Sequence, residues 1–75
     1  MQRDYLRSPE ELRADGAGYM NSARAAAAEG RMGSAKYSAD LAIAAFRKGG
    51  WVAELEEAIN YSQFCASAAL VVRES

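Results

Sequence analysis

Residues 30–51 of the chain read GRMGSAKYSADLAIAAFRKGGW, the stretch that contains the second predicted helix. Glycines mark both of its ends, with Gly33 directly before Ser34 at one end and Gly49-Gly50 at the other. Serine is a typical N-cap residue, and glycine often follows the last turn of a helix. The pattern therefore predicts a helix over residues 34–48 with Ser34 as its N-cap.

Apolar residues occupy almost every side of this second helix, and Lys36 with Asp40 forms its one narrow polar strip. The apolar set is Ala35, Tyr37, Ala39, Leu41, Ala42, Ile43, Ala44, Ala45 and Phe46. A helix that is apolar most of the way round is normally buried. We therefore expect the second helix to be sandwiched between two others.

The segment before it predicts a first helix over residues 9–29. Ser8 suits the N-cap, Pro9 the first helical position, and Glu11 can complete a capping box with Ser8. Gly30 is expected to end this helix in a left-handed conformation. The residues expected to face the core recur at helical spacing; they are Leu12, Gly16, Tyr19, Met20, Ala23, Ala26 and Ala27.

A third helix is predicted over residues 51–73, opened by Trp51. Glu54, Glu56 and Glu57 lie in its first turns, where carboxylates complement the helix dipole. Its expected core stripe consists of Trp51, Leu55, Ala58, Ile59, Ser62, Cys65, Ala66, Ala69 and Val72. Glu56, Asn60, Gln63 and Ser67 follow a polar stripe on another side, whereas residues 68–72 are apolar on every side.

The composition agrees with a single all-α domain spanning residues 1–75, a small Ala-rich three-helix bundle with up-down-up topology. The chain has 75 residues and a formal net charge of −1. It contains 17 alanines, the residue that most favours helices. The absence of histidine excludes His-based catalysis, and one cysteine cannot form an intrachain disulfide or a thiolate metal site. We therefore expect no enzyme, no catalytic or metal-binding residues, no cofactor and no small-molecule substrate.

The turn between the first two helices resembles the inter-helix turn of a tetratricopeptide repeat. Gly30, Met32, Ala35 and Ala42 match a turn glycine, an apolar residue two positions later, and two alanines seven residues apart. The resemblance covers at most about 35 residues, roughly the length of one repeat. It implies a helical hairpin that binds a peptide or protein, with the third helix as a cap.

Two further interpretations stay open at this point. Ala26 and Gly30, four residues apart, also resemble the turn of a helix-turn-helix DNA-binding regulator, which would present Ser34, Ala35 and Lys36 to DNA. The balanced charge lacks the basic surplus that phosphate binding needs, so we expect no nucleic-acid partner. The small size is also compatible with a phage-type inhibitor that binds one host protein.

The expected function is protein–protein interaction or assembly. The chain has few large apolar side chains, so its second helix and the end of its third are expected to need a partner protein or a second copy. Partner contact is assigned to Trp51, Ala66, Leu70, Val71 and Val72, with Trp51 alternatively a core plug between the second and third helices.

The first residues lack an apolar run and no stretch suits a membrane span, so we expect a cytoplasmic location. The bias towards Arg, Ala and Gly is typical of a GC-rich bacterial or phage genome.

Overall fold

The computed structural model describes residues 7–74, with the backbone alone for residues 71–74. Three helices follow one another: α1 (Pro9–Ala28), α2 (Met32–Gly49) and α3 (Val52–Glu74). No strand occurs in the described range. The helix α2 packs against both α1 and α3, as its apolar character predicted. The predicted three-helix all-α fold is confirmed, and α2, with 18 residues, is the shortest helix.

The start of α1 has the predicted capping box. The Glu11 backbone N–H donates to Ser8 Oγ at 3.2 Å, and the Ser8 backbone N–H donates to Glu11 Oε1 at 2.9 Å. Pro9 takes the first helical position, where a missing N–H leaves no hydrogen bond unmade. Local sequence alone therefore fixes where α1 begins.

Both turns use the same hydrogen-bonding pattern around a left-handed glycine. Gly30 has φ of 81° and Gly50 has φ of 78°. At the first turn the Arg31 N–H donates to the Ala26 carbonyl at 2.9 Å, and the Gly30 N–H donates to the Ala27 carbonyl at 2.9 Å. The second turn repeats this pattern from Trp51 to Phe46 and from Gly50 to Arg47. This is the Schellman motif, which reverses the chain within two residues.

The tight first turn makes the predicted start of α2 wrong. The helix begins at Met32 with Arg31 as N-cap, and Ser34 lies inside it. The Ala35 N–H donates to the Arg31 carbonyl at 3.0 Å, so helical hydrogen bonding begins three residues earlier than Ser34 would allow. At the other turn Trp51 precedes α3, and its carbonyl accepts the Leu55 N–H at 2.8 Å.

Small residues bring the three helices close together. Five alanines are fully buried: Ala23, Ala35, Ala39, Ala42 and Ala58. A Cβ added to Gly16 of α1 would lie 2.4 Å from Cε1 of Phe46 in α2, so only glycine fits against that ring. The core forms two clusters, one around Met20 and Phe46 and a second around Ala26, Ala35 and Cys65.

Two expectations about buried faces need correction. Tyr19, placed on the core face of α1 by its spacing, is 38% exposed. The helix α2 is buried only on the side that meets α1 and α3, and Tyr37 on its opposite side is 66% exposed. A three-helix bundle covers one side of each helix, so the outer side of α2 stays in solvent despite its apolar residues.

Candidate interaction surface

The C-terminal part of α3 continues past the core. Cys65 is fully buried and is the last buried residue of α3 before residue 71. Beyond it, Ala66, Ala68 and Ala69 are half-buried and Leu70 is 58% exposed. Side chains of residues 71–74 lie outside the description, so the predicted contacts of Val71 and Val72 stay predictions. We refer to residues 66–70 as the α3 end.

Trp51 lies far from the α3 end, so the structure does not bring the five predicted contact residues into one surface. Ala66 follows Trp51 by 15 positions, about 22 Å along the helix axis. The Trp51 indole N–H donates to the Pro9 carbonyl at 2.7 Å, and the Arg13 guanidinium lies 4.7 Å from the ring centroid. The half-buried ring therefore joins the α2–α3 corner to the start of α1, as expected of a core plug. Its role in binding a partner stays a prediction.

The side of α2 that faces away from the core carries a row of exposed and half-buried residues, three of them apolar or aromatic and one a lysine. Tyr37, Leu41, Ala44 and Lys48 lie along it, and we call these residues the outer face. Leu41, Ala44 and Lys48 also line a groove of about 480 Å³ between α1 and α2, with Tyr19 on its α1 side. The outer face and the groove are thus continuous.

Ion pairs connect α1 to α3. Arg13 pairs with Glu54 at 2.9 Å, and Arg24 pairs with Glu57 at 3.6 Å. These four residues rim a cavity of about 240 Å³, whose lining includes Met20 and Phe46. Sequence analysis interpreted the glutamates as partners of the helix dipole, and it missed their pairing with the arginines. The available signal was the spacing of the arginines, because 11 residues make three helical turns and place both on one side.

A polar cluster connects α2 to α3. The Asp40 carboxylate accepts hydrogen bonds from Lys36 Nζ at 2.8 Å and from Ser62 Oγ at 2.7 Å. The hydrogen bonds from Lys36 and then Ser62 hold the pKa of Asp40 below its ordinary value of 3.8. The predicted Lys36–Asp40 pair is confirmed, whereas its link to Ser62 was not foreseen.

Cys65 has the buried position that its place on the core stripe predicted. Burial raises the pKa of the Cys65 thiol above its ordinary value of 9.0, which disfavours the reactive thiolate.

Within residues 7–74, the described side chains contain no cluster of three or more Cys, Asp or Glu suited to a metal ion. None of the helices, as far as the structure describes them, is long and apolar enough to cross a membrane.

Of the residues behind the tetratricopeptide resemblance, Gly30, Met32 and Ala35 lie at the α1–α2 turn, and Ala42 lies about two turns further along α2. Ala35 and Ala42 are fully buried, and Met32 packs against the cluster around Cys65. The burial of Ala35 also removes one of the three residues that a helix-turn-helix would present to DNA. Comparisons with protein-family models, with curated proteins and with solved structures found nothing that matches this chain. The resemblance stays a prediction.

Proposed function

We propose that this chain is a non-enzymatic assembly module that associates with further copies of itself through the α3 end. The observation that carries the proposal is the exposure of Leu70, at 58%, on a helix that continues beyond the last buried core residue. Burying a leucine side chain contributes about 1.5–3 kcal/mol, so an exposed apolar helix end favours contact with another apolar surface.

The surroundings of Leu70 support a protein partner. Ala66, Ala68 and Ala69 are small and half-buried, which lets another helix approach closely. No charged residue lies between Ala58 and Leu70, so docking this stretch desolvates no charge. Phe64, 56% exposed, adds apolar area six residues before Leu70. The small net charge of −1 adds little repulsion between copies.

The test is the mass of the protein in solution. Sedimentation equilibrium of the wild type at micromolar concentration is expected to give a mass above 8.1 kDa. Leu70→Glu places a charge in the proposed contact and is expected to lower that mass by one association step, with helicity by circular dichroism unchanged. Ala53→Glu adds the same charge at the exposed opposite end of α3 and serves as the control. An unchanged mass for Leu70→Glu would contradict the proposal.

A further inference from the structure

The cavity between α1 and α3 exists because each of these helices packs on α2 while the two hardly touch each other. It has a volume of about 240 Å³, and Ala17, Met20 and Phe46 give it an apolar part. An apolar cavity of about 150 Å³ holds a benzene molecule, so this one has room for roughly ten non-hydrogen atoms. Its size is that of a single free amino acid.

The two sides of this cavity carry opposite charges. The α1 side has Arg13 and Arg24, and the α3 side has Glu54 and Glu57. A guanidinium group binds a carboxylate, and a carboxylate binds an ammonium group. A ligand that carries both a carboxylate and an ammonium group therefore matches both sides at once, whereas a ligand with a single charge leaves one side unmatched.

The two ion pairs across the cavity differ in how closely their charges meet. Arg13 lies 2.9 Å from Glu54 and also stacks on the Trp51 ring, so this end is closed. Arg24 and Glu57 are 3.6 Å apart, which is too long for a hydrogen bond. Their side chains are 52% and 68% exposed. The hydrogen-bonding groups of Arg24 and Glu57 are therefore free to turn towards a ligand.

Two neighbours add to this open end of the cavity. The Arg24 guanidinium lies 5.9 Å from the centroid of the Tyr61 ring, an attractive contact that does not use its N–H groups. Asn21 lines the cavity beside Arg24, and its amide can donate to a carboxylate and accept from an ammonium group. The open end thus offers partners for both charged groups of an amino acid.

We propose that the cavity between α1 and α3 binds a free α-amino acid with an apolar side chain, such as leucine, as a ligand rather than a substrate. Arg24 donates to its carboxylate, Glu57 accepts from its ammonium group, and its side chain lies against Met20 and Phe46. One long ion pair is thereby replaced by two hydrogen-bonded pairs. For a ligand of roughly ten non-hydrogen atoms we expect a dissociation constant on the order of 0.1–1 mM.

Nuclear magnetic resonance titration of ¹⁵N-labelled protein tests the class of ligand. L-leucine is expected to shift the amide signals of residues 17–24 and 54–57. The compound 4-methylpentanoate lacks the ammonium group and 3-methylbutylamine lacks the carboxylate, so each should bind at least about tenfold more weakly. No shift with about 10 mM leucine, well above the expected dissociation constant, would overturn the proposal. Binding of either analogue as tight as that of leucine would also overturn it.

Single substitutions test the two charged groups. Arg24→Gln and Glu57→Gln each remove one charge and should weaken leucine binding at least about tenfold, because a hydrogen bond to a charged group is lost. Glu56→Gln is the matched control, since Glu56 is exposed on α3 but does not line the cavity. Equal leucine affinity of Glu57→Gln and Glu56→Gln, both folded by circular dichroism, would contradict the proposal.

The Leu70→Glu variant separates this inference from the proposed function. Leu70 does not line the cavity, so the variant is expected to bind leucine with wild-type affinity. Loss of leucine binding in the folded variant would place the site between copies of the chain and overturn its assignment to the cavity between α1 and α3. Normal leucine binding together with an unchanged mass would support this inference and contradict the proposed function alone.

Discussion

Gly16 and Gly18 stand two residues apart in α1 but have different surroundings. Gly16 is buried against Phe46, where an added Cβ would lie 2.4 Å from the ring. Nothing lies within 4 Å of a Cβ added to Gly18. In a helix interior each glycine costs about 1 kcal/mol relative to alanine. Only at Gly16 does a close contact with another helix offset that cost.

Replacing each glycine by alanine should therefore change stability in opposite directions. Gly18→Ala is expected to raise the free energy of unfolding by about 0.5–1 kcal/mol, because it removes only the helix cost of glycine. Gly16→Ala is expected to lower it by about 1–2 kcal/mol, since overpacking against the 3% exposed Phe46 ring outweighs that gain. Urea unfolding followed by circular dichroism measures both, and each variant is the control for the other. Equal effects would contradict the packing argument.

At the residue scale, sequence predicts a feature best when neighbours along the chain determine it. The Ser8–Glu11 capping box involves two residues three positions apart and was predicted correctly. The N-cap at Ser34 was wrong because the preceding turn at Gly30 lets α2 begin at Met32. The exposure of Tyr19 also escaped prediction, since periodicity gives the side of the helix but not how far a neighbour covers it.

Between elements, the Asp40 cluster is the polar connection of α2 to α3. Asp40 receives hydrogen bonds from Lys36 on its own helix and from the buried Ser62 on α3. Both interactions favour the ionised carboxylate and keep its pKa below the ordinary 3.8. Because the folded state thus binds a proton less readily than the unfolded state, the charged form stabilises the fold.

The sign of this effect predicts a pH dependence. The contribution of Asp40 is present above the pKa of the unfolded state and is lost as the pH falls through the lowered pKa of the folded state. Asp40→Asn is expected to be less stable than the wild type at pH 6 by at most about 1 kcal/mol, because the pair is exposed. That difference should shrink below about pH 4, the ordinary range of an aspartate. Urea unfolding of both proteins from pH 6 to pH 3 measures it, and a constant difference would rule out the charge as its cause.

The sequence predicted which side of each helix faces the core, but not which side chains of neighbouring helices pair with each other. The polar stripe of α3 is exposed as predicted, and α2 lies between its neighbours. The Arg13–Glu54 and Arg24–Glu57 pairs were missed because one sequence does not reveal which helix lies opposite. For the candidate surface, the α3 end followed from its apolar run, whereas Trp51 proved to belong to another part of the bundle.

At the scale of the whole molecule, the last fully buried side chain of α3 within residues 52–70 is Cys65, just before the α3 end. Ala39, Ala42 and Phe46 form part of the larger core cluster, and the smaller cluster ends at Cys65 on α3. The backbone of α3 nevertheless stays helical through Glu74. Short helical segments have little stability without tertiary packing. The α3 end should therefore open locally without unfolding of the rest.

Amide hydrogen exchange tests this gradient and its link to assembly. At low protein concentration, amides of residues 66–70 are expected to exchange at least about 100-fold faster than those of residues 39–46, because local opening there costs less than global unfolding. Raising the concentration should slow exchange at residues 66–70 in the wild type, since docking of the α3 end would then couple its opening to dissociation. Leu70→Glu should lack this concentration dependence while keeping the protection of residues 39–46. Uniform protection along α3 at every concentration would mean that the α3 end is held by its own chain, and the physical reason for an assembly partner would be lost.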